Sequence, residues 1–351
     1  AYYSPADRDV SLMLSDLLIH ADTLIPFGKE APDFVLMGRV GNVPLVNGEP
    51  DYELAVHRGE VVRFFLTDVA SARTWNLSIP GVPLKVLASD VSRFEREVMV
   101  PSVILAPAER YVVAAEFDRP GRYPLVNAVQ AIDHYRGEFD AEVDTLGWVT
   151  VDSTPAAPDY RAAFRVLRAN PAVSAEIARY RPYFDRPPDK RITLTVATSS
   201  LPLPTVQFMS VDTAYFHPVE WTDGMPEMNW LSTAGQVRWI LRDDSTGKEN
   251  EAIDWHVRQG SVVKLRIYND PHSFHPMQHP IHLHGQRMLV VSRDGVPTRD
   301  LAWKDTVLVP VGSTVDVLID ASNPGAWMLH CHIAEHLGAG MMMTLHVDPS
   351  R

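Results

Sequence analysis

Two stretches about 200 residues apart carry the same pattern, and no other feature of the 351-residue chain narrows its fold as much. Residues 56–68 (VHRGEVVRFFLTD) match 257–269 (VRQGSVVKLRIYN), and residues 118–127 (DRPGRYPLVN) match 322–331 (SNPGAWMLHC). In the first pair a glycine opens a run of alternating apolar and polar residues, which is how a strand leaves a turn. The paired glycines keep nearly equal spacing: Gly59 to Gly121 is 62 residues and Gly260 to Gly325 is 65. A unit of roughly 150 residues is the size of a domain and too long for a stacking repeat. Short β-rich runs punctuated by Pro and Gly predict an all-β domain for each copy, a β-sandwich or a Greek-key barrel.

The expected division is a first sandwich over residues 1–155, a linker over 156–188 and a second sandwich over 189–351. The linker is rich in Pro, Ala and Arg and reads as a short helix from Val173 to Tyr180, after which clean alternation resumes at Asp189. The repeat also serves as an internal control. It sets Asn76 and Ser78 of the first copy against His282 and His284, and Val126, Asn127 and Ala128 against His330, Cys331 and His332. The fold itself therefore does not require imidazoles or a thiol at these places.

Ten of the fourteen histidines fall between His256 and His346, in the same region as the single cysteine, Cys331. The segments 279–285 (HPIHLHG) and 327–341 (WMLHCHIAEHLGAGM) concentrate them. Side chains alternate across a strand, so His282 and His284 share one face, and His330 and His332 point together while Cys331 points to the reverse. One strand thus offers imidazoles to one site and a thiolate to another behind it. His336 follows in a tight turn or short helix able to bring its ring back over the sulfur, and Met341 comes after the flexible Gly338 and Gly340. A thiolate, two imidazoles and a weak thioether are the trigonal set with a long axial bond of blue copper electron-transfer sites. Each part has another reading: a zinc site for a His-x-His pair, strand core for Met341 to Met343, and an inverted zinc peptidase for His332 to His336, which match H-x-x-E-H. The peptidase motif needs a long helix, whereas this one directly follows a strand. The joint spacing favours copper.

HPIHLHG and HCHIAEHLGAGM resemble the two C-terminal copper signatures of the multicopper oxidases, the family of laccases, bilirubin oxidases and related copper-efflux and spore-coat enzymes. The resemblance covers most of the chain. Residues 1–155, with LVNG at 45–48 and WNLSI at 75–79, are similar to the copper-free middle cupredoxin domain, and residues 189–351 to the third domain. It implies that His279, Cys331, His336 and Met341 hold type 1 copper, that His282 serves type 2 copper, and that His284, His330 and His332 serve the type 3 pair. It further implies one-electron oxidation of phenolic or similar small donors with O2 as acceptor. Electrons would arrive at an exposed edge of His279 or His336 and pass through Cys331. The family resemblance also implies an extracytoplasmic location, secreted or periplasmic.

The pattern breaks in two respects, the larger in the histidine count. A complete trinuclear cluster in this family takes eight histidines, four of them from two His-x-His motifs of a first domain, whereas His20, His57, His134 and His217 are singletons here. The chain is therefore expected to accept electrons alone but to reduce O2 only if the other half of the cluster is supplied. Three arrangements stay open: a C-terminal portion of a three-domain oxidase, a two-domain electron-transfer or copper-binding protein without enzymatic activity, or a cluster completed by another chain, either a first cupredoxin domain or a second copy. A zinc-binding structural protein is a further alternative. Asp305 and Asp223 are candidates for carboxylates that orient metal-bound imidazoles, with solvated loop positions as the plainer reading. Residues 221–230 could border the donor site, and His272 and His275 read as mostly solvated. Leu337 stands where some relatives carry an acid, and Glu335 is expected on the opposite side of the turn.

A formal charge of −12 argues against nucleic-acid partners, and no apolar run approaches the ~20 residues of a membrane helix. One cysteine excludes an intrachain disulfide. The opening AYYSPADRD lacks the basic and apolar regions of a secretory signal, so a mature or a cytoplasmic chain is expected.

Overall fold

Alternation in the sequence becomes alternation in burial. In the strand Glu60–Asp68, Val62, Phe64 and Leu66 are buried while Arg63, Phe65 and Thr67 are half-buried; in Asp254–Arg258, Trp255 is buried while Asp254 and His256 are exposed. The computed structural model describes residues 2–25, 33–133, 138–201, 203, 219, 221–222, 229 and 232–350. Its described strands form four larger sheets, two in each half of the chain.

In the first half, a six-stranded sheet runs in the order Val43–Val46, Arg8–Leu17, Glu60–Asp68, Arg110–Phe117, Leu84–Ser89, Ser92–Val100. The facing sheet runs Val103–Leu105, Trp75–Ser78, Gly121–Asp133, Glu138–Pro155, Tyr52–Arg58. In the second half the corresponding sheets run Val237–Asp243, Lys190–Thr198, Ser261–Asn269, Thr314–Ala321, Arg287–Arg293, Val296–Pro297, and Thr306–Val309, His279–Leu283, Gly325–Cys331, Met342–Asp348, Asp254–Arg258. Order and direction repeat strand for strand, including the parallel pairs Arg8–Leu17 with Glu60–Asp68 and Lys190–Thr198 with Ser261–Asn269. Each sandwich closes over its own apolar core, one containing Phe64, Trp75 and Leu125, the other Trp239, Leu265 and Leu329.

The ladders correct one detail of the sequence alignment. Leu77 pairs with Asn127, whereas Ile281 pairs with Cys331 and His282 with His330. The first-copy counterpart of His282 is therefore Ser78, and that of His284 is Pro80, two residues on from the expected Asn76 and Ser78. An even shift keeps every side chain on its original face, so the alternating pattern alone could not reveal it. Neither counterpart is a histidine, and the internal control stands.

The segment between the sandwiches is not a free tether. The helix Pro171–Ala178 buries Val173 and Ile177 against Leu289, Leu301, Trp303 and Leu318 of the second sandwich, while Phe164 of the short helix Arg161–Phe164 packs on Val61, Leu87 and Ala114 of the first. The sandwiches also touch directly. The Lys304 ammonium lies 3.1 Å from Asp90 and 3.2 Å from Glu109, and Val35, Leu36, Met37 and Ala72 of the first half join the core of the second. Among the described residues no helix is long and apolar enough to cross a membrane.

Candidate metal centre

The strand Gly325–Cys331 lies between His279–Leu283 and Met342–Asp348. Its alternation turns Leu329 and Cys331 into the core and leaves Met328 on the outer surface, with His330 on the same side as Met328. His336 is carried by the short helix Ala334–Gly338, which starts three residues after the cysteine. The chain then returns so that the Cys331 amide donates to the Met341 carbonyl at 3.1 Å and the Met341 amide donates to the His336 carbonyl at 3.0 Å. Met341 and Cys331 are both fully buried in the same apolar cluster.

Within that cluster three donor atoms face one another. Cys331 Sγ is 3.5 Å from His279 Nδ1 and 3.7 Å from His336 Nδ1, and the two nitrogens are 3.2 Å apart. A triangle with these sides has a centre about 2.0 Å from every corner, close to the length of a metal–imidazole bond. His336 Nε2 lies 3.2 Å from the Leu36 carbonyl. A carbonyl only accepts, so Nε2 carries the hydrogen and Nδ1 presents its lone pair to the sulfur. Burial holds both imidazoles neutral, pushing His279 down to about 3 and His336 well below its usual value. Burial likewise pushes the Cys331 thiol up. A thiol and two neutral imidazoles converging in an apolar pocket match the demands of a thiolate-binding transition metal, which replaces the thiol proton.

The second group stands on the outer face of the same sheet. His282, His284 and His330 place ligand atoms within 4.8 Å of one another, and the His332 ring lies 5.6 Å from His282 and 5.5 Å from His330. His330 Nδ1 lies 2.7 Å from the Cys331 carbonyl and must donate to it, which leaves Nε2 bare. That nitrogen faces His284 Nε2 at 3.0 Å, as two ligands of neighbouring or shared metal ions do. His282 Nδ1 lies 2.9 Å from the Thr306 hydroxyl, which donates at 3.0 Å to Asp305, whose carboxylate is itself held bidentately by Arg110 at 2.5 and 2.6 Å. This relay directs the His282 Nδ1 hydrogen at Thr306 and turns Nε2 toward the other rings. Burial, with the neighbouring imidazoles adding to it, pulls His282 and His330 down to about 4.

Several sequence expectations land differently. Asp305, read as more plausibly solvated, is 3.7 Å from His282 and part of that relay. Asp223, His134, His217 and most of residues 221–230 lie outside the described residues. His275 is fully buried beside Trp239, not solvated, because its loop folds under the core; His272 is exposed as expected. The exposed edge of His279 or His336 is also absent: they are 1% and 0% exposed. Trp239 stacks on His336 at 4.0 Å and meets His279 edge-on at 5.0 Å, and the Leu36 carbonyl lies against His336 Nε2. Glu335 faces the first sandwich near Gly38 and Arg39, and burial raises it to about 7. Trp239, Leu36, Thr306 and Arg110 are the residues that sequence reasoning missed. Only Thr306, next to Asp305, carried any local signal.

Comparison with known proteins agrees with this geometry. The multicopper oxidase family matches residues 10–145 with one domain model and residues 221–351 with another. Laccase-1 of Melanocarpus albomyces is 24% identical over 99% of this chain and 56% of its own length. The multicopper oxidase MmcO of Mycobacterium tuberculosis is 33% identical over 39% of this chain and 25% of its own. Among solved structures, a multicopper oxidase from Campylobacter jejuni superposes with a TM-score of 0.66 at 20% identity, covering 97% of this chain and 64% of that one. The fold is thus that of cupredoxin sandwiches. The chain spans between 56% and 62% of the length of the laccases that it matches along 99% of itself.

Proposed function

Because the chain belongs to the multicopper oxidase family, we propose that it is the electron-accepting part of a laccase-like oxidase acting on phenolic or similar small reductants. Copper bound here supplies one-electron oxidation of the donor, with O2 as the terminal acceptor. His279, Cys331, His336 and Met341 would hold the type 1 ion, His282 a type 2 ion, and His284, His330 and His332 a type 3 pair. The protein's own part is to fix these ligands in advance. The Leu36, Thr306 and Cys331 acceptors select the tautomers of His336, His282 and His330, and the apolar shell keeps water from the sulfur. Cys331 is covalently joined to His330 and His332, so the two ligand groups are linked through one residue of backbone on either side.

The observation that carries this reading is the triangle of Sγ and two Nδ1 atoms, whose centre lies at metal–nitrogen bond distance from both imidazoles and about 0.3 Å short of a metal–sulfur bond from Sγ. Four imidazoles on an outer face are half of a trinuclear set. The remaining ligands would come from another cupredoxin domain or a second copy. The test is a copper count by mass spectrometry together with visible absorption and oxygen uptake in the presence of a phenolic donor. Copper-loaded chain is expected to be intensely blue, to bleach with donor, and to consume little oxygen as a monomer. Cys331→Ser is expected to remove the blue band. Colourless protein loaded with zinc in preference to copper would sink the reading, and vigorous oxygen uptake by the monomer would sink the half-cluster assignment. Bleaching without oxygen uptake under any pairing would favour a plain electron-transfer protein.

A further inference from the structure

The free edge of the sheet that carries the copper-ligand candidates holds another convergence of donor atoms. Its last strand, Asp254–Arg258, pairs in parallel with Met342–Asp348, placing His256 opposite His346 and Arg258 opposite Asp348. Alternation buries Trp255, Leu345 and Val347, and turns Asp254, His256, His346 and Asp348 to the outer surface. The two imidazoles lie almost parallel, with centroids 4.6 Å apart and planes at 8°. His256 Nε2 is 3.2 Å from Asp254, and its Nδ1 is 3.1 Å from both oxygens of Asp348. Ligand atoms of Asp254, His256 and His346 fall within 4.8 Å of one another.

The repeat provides the second, independent observation. In the first sandwich the corresponding strands set Ala55 opposite Thr150, where the second sets His256 opposite His346. Neither the edge strand nor its pairing needs imidazoles, so the stacked pair is not a requirement of the fold. Two neutral imidazole nitrogens and the Asp254 carboxylate form a mixed nitrogen–oxygen set that suits zinc or divalent copper better than calcium or magnesium, whose ligands are oxygens, while Asp348 accepts from His256 Nδ1 and orients its ring. The carboxylates that raise the proton affinity of His256 would equally attract a cation. A metal would take the place of the proton on His256 Nε2, which leaves to solvent.

We propose that Asp254, His256 and His346 form a surface site for a borderline divalent metal ion, separate from the copper-ligand groups, with Asp348 holding the His256 Nδ1 hydrogen so that Nε2 faces the ion, and that the ion pins the edge strand to its neighbour. Zinc is titrated calorimetrically into the protein as purified, and the same is done with the surface variant H256A/H346A. Wild type is expected to bind one zinc that the double variant loses, and zinc is expected to raise the Tm of wild type alone. D254N/D348N, which keeps both imidazoles, is expected to bind that zinc at least tenfold more weakly. Equal zinc uptake and equal Tm shifts in wild type and H256A/H346A would overturn the proposal, as would the absence of any such zinc in wild type. The blue absorption reads the copper centre separately, so failure of either assignment leaves the other measurable.

Discussion

Protonation at individual atoms is set by what each nitrogen's other side touches. His336 and His330 each have a backbone carbonyl as acceptor on one nitrogen, and His282 has the Thr306 hydroxyl; in each case the opposite nitrogen is left bare. The same logic governs a carboxylate far from these ligands. Burial alone would raise Asp243, but the Ser245 amide and hydroxyl, the Trp255 indole and the Thr246 hydroxyl outweigh it and bring the carboxyl down to about 2 from its ordinary 3.8. A carboxyl depressed by folding contributes stability that is complete above its unfolded value and is lost as pH falls through the folded one. Asp243→Asn is therefore expected to cost about 1–2 kcal/mol at neutral pH. In denaturant unfolding the gap to wild type should close between about pH 4 and pH 2. A gap independent of pH would mean that the carboxylate charge contributes nothing.

At the scale of elements, the decisive property is the two-residue period of a strand. Because it needs only sequence, the opposition of Cys331 to His330 and His332 was legible from the start, as were the sandwich pairs and the helix near Val173. What was not legible comes from contacts between distant segments. Leu36 lies 300 residues from His336 and Arg110 lies 195 from Asp305, and no local pattern announces such pairings. Burial of His275 was equally hidden, since a polar residue in a loop looks solvated until the loop is seen to pack on Trp239. The turn after the histidine strand shows how tightly these elements fit. Gly285 has φ +62°, and a Cβ there would stand 2.1 Å from the Trp327 ring. Gly285→Ala is expected to cost roughly 2–4 kcal/mol through backbone strain and displacement of that ring. Because the His284 amide, next to this turn, donates to the Met328 carbonyl of the neighbouring strand, the variant should also lose copper from the outer-face group before the blue centre. Chemical denaturation and the copper count measure the two effects; loss of the blue centre first would show that the turn does not position His284.

At the scale of the whole molecule, the first sandwich acts as a cover for the metal-ligand core of the second. Residues 34–38 make a turn in which the Gly38 amide donates to Phe34, while the Val35 carbonyl accepts from the Trp239 indole and the Leu36 carbonyl from His336. Asn229 fastens the same turn by bonding the Met37 amide and the Gly38 carbonyl. Under the proposed function, donors would meet protein where the resemblance led one to expect an exposed imidazole edge, and electrons would have to cross this cover or wait for it to move. Gly38 is where it can be disturbed. Its φ is +80°, and a Cβ would lie 2.5 Å from Ala72 and 2.8 Å from Ile333. Gly38→Ala should lift the turn away from Trp239 and His336, costing about 2–4 kcal/mol of stability. If the turn limits access, stopped-flow bleaching of the blue centre by bulky phenols should accelerate severalfold in the variant, while the rate with small donors changes little. An unchanged ratio of bulky to small donor rates, with the blue band intact, would show that electrons cross the cover without its opening and that the first sandwich shapes the site only by excluding water.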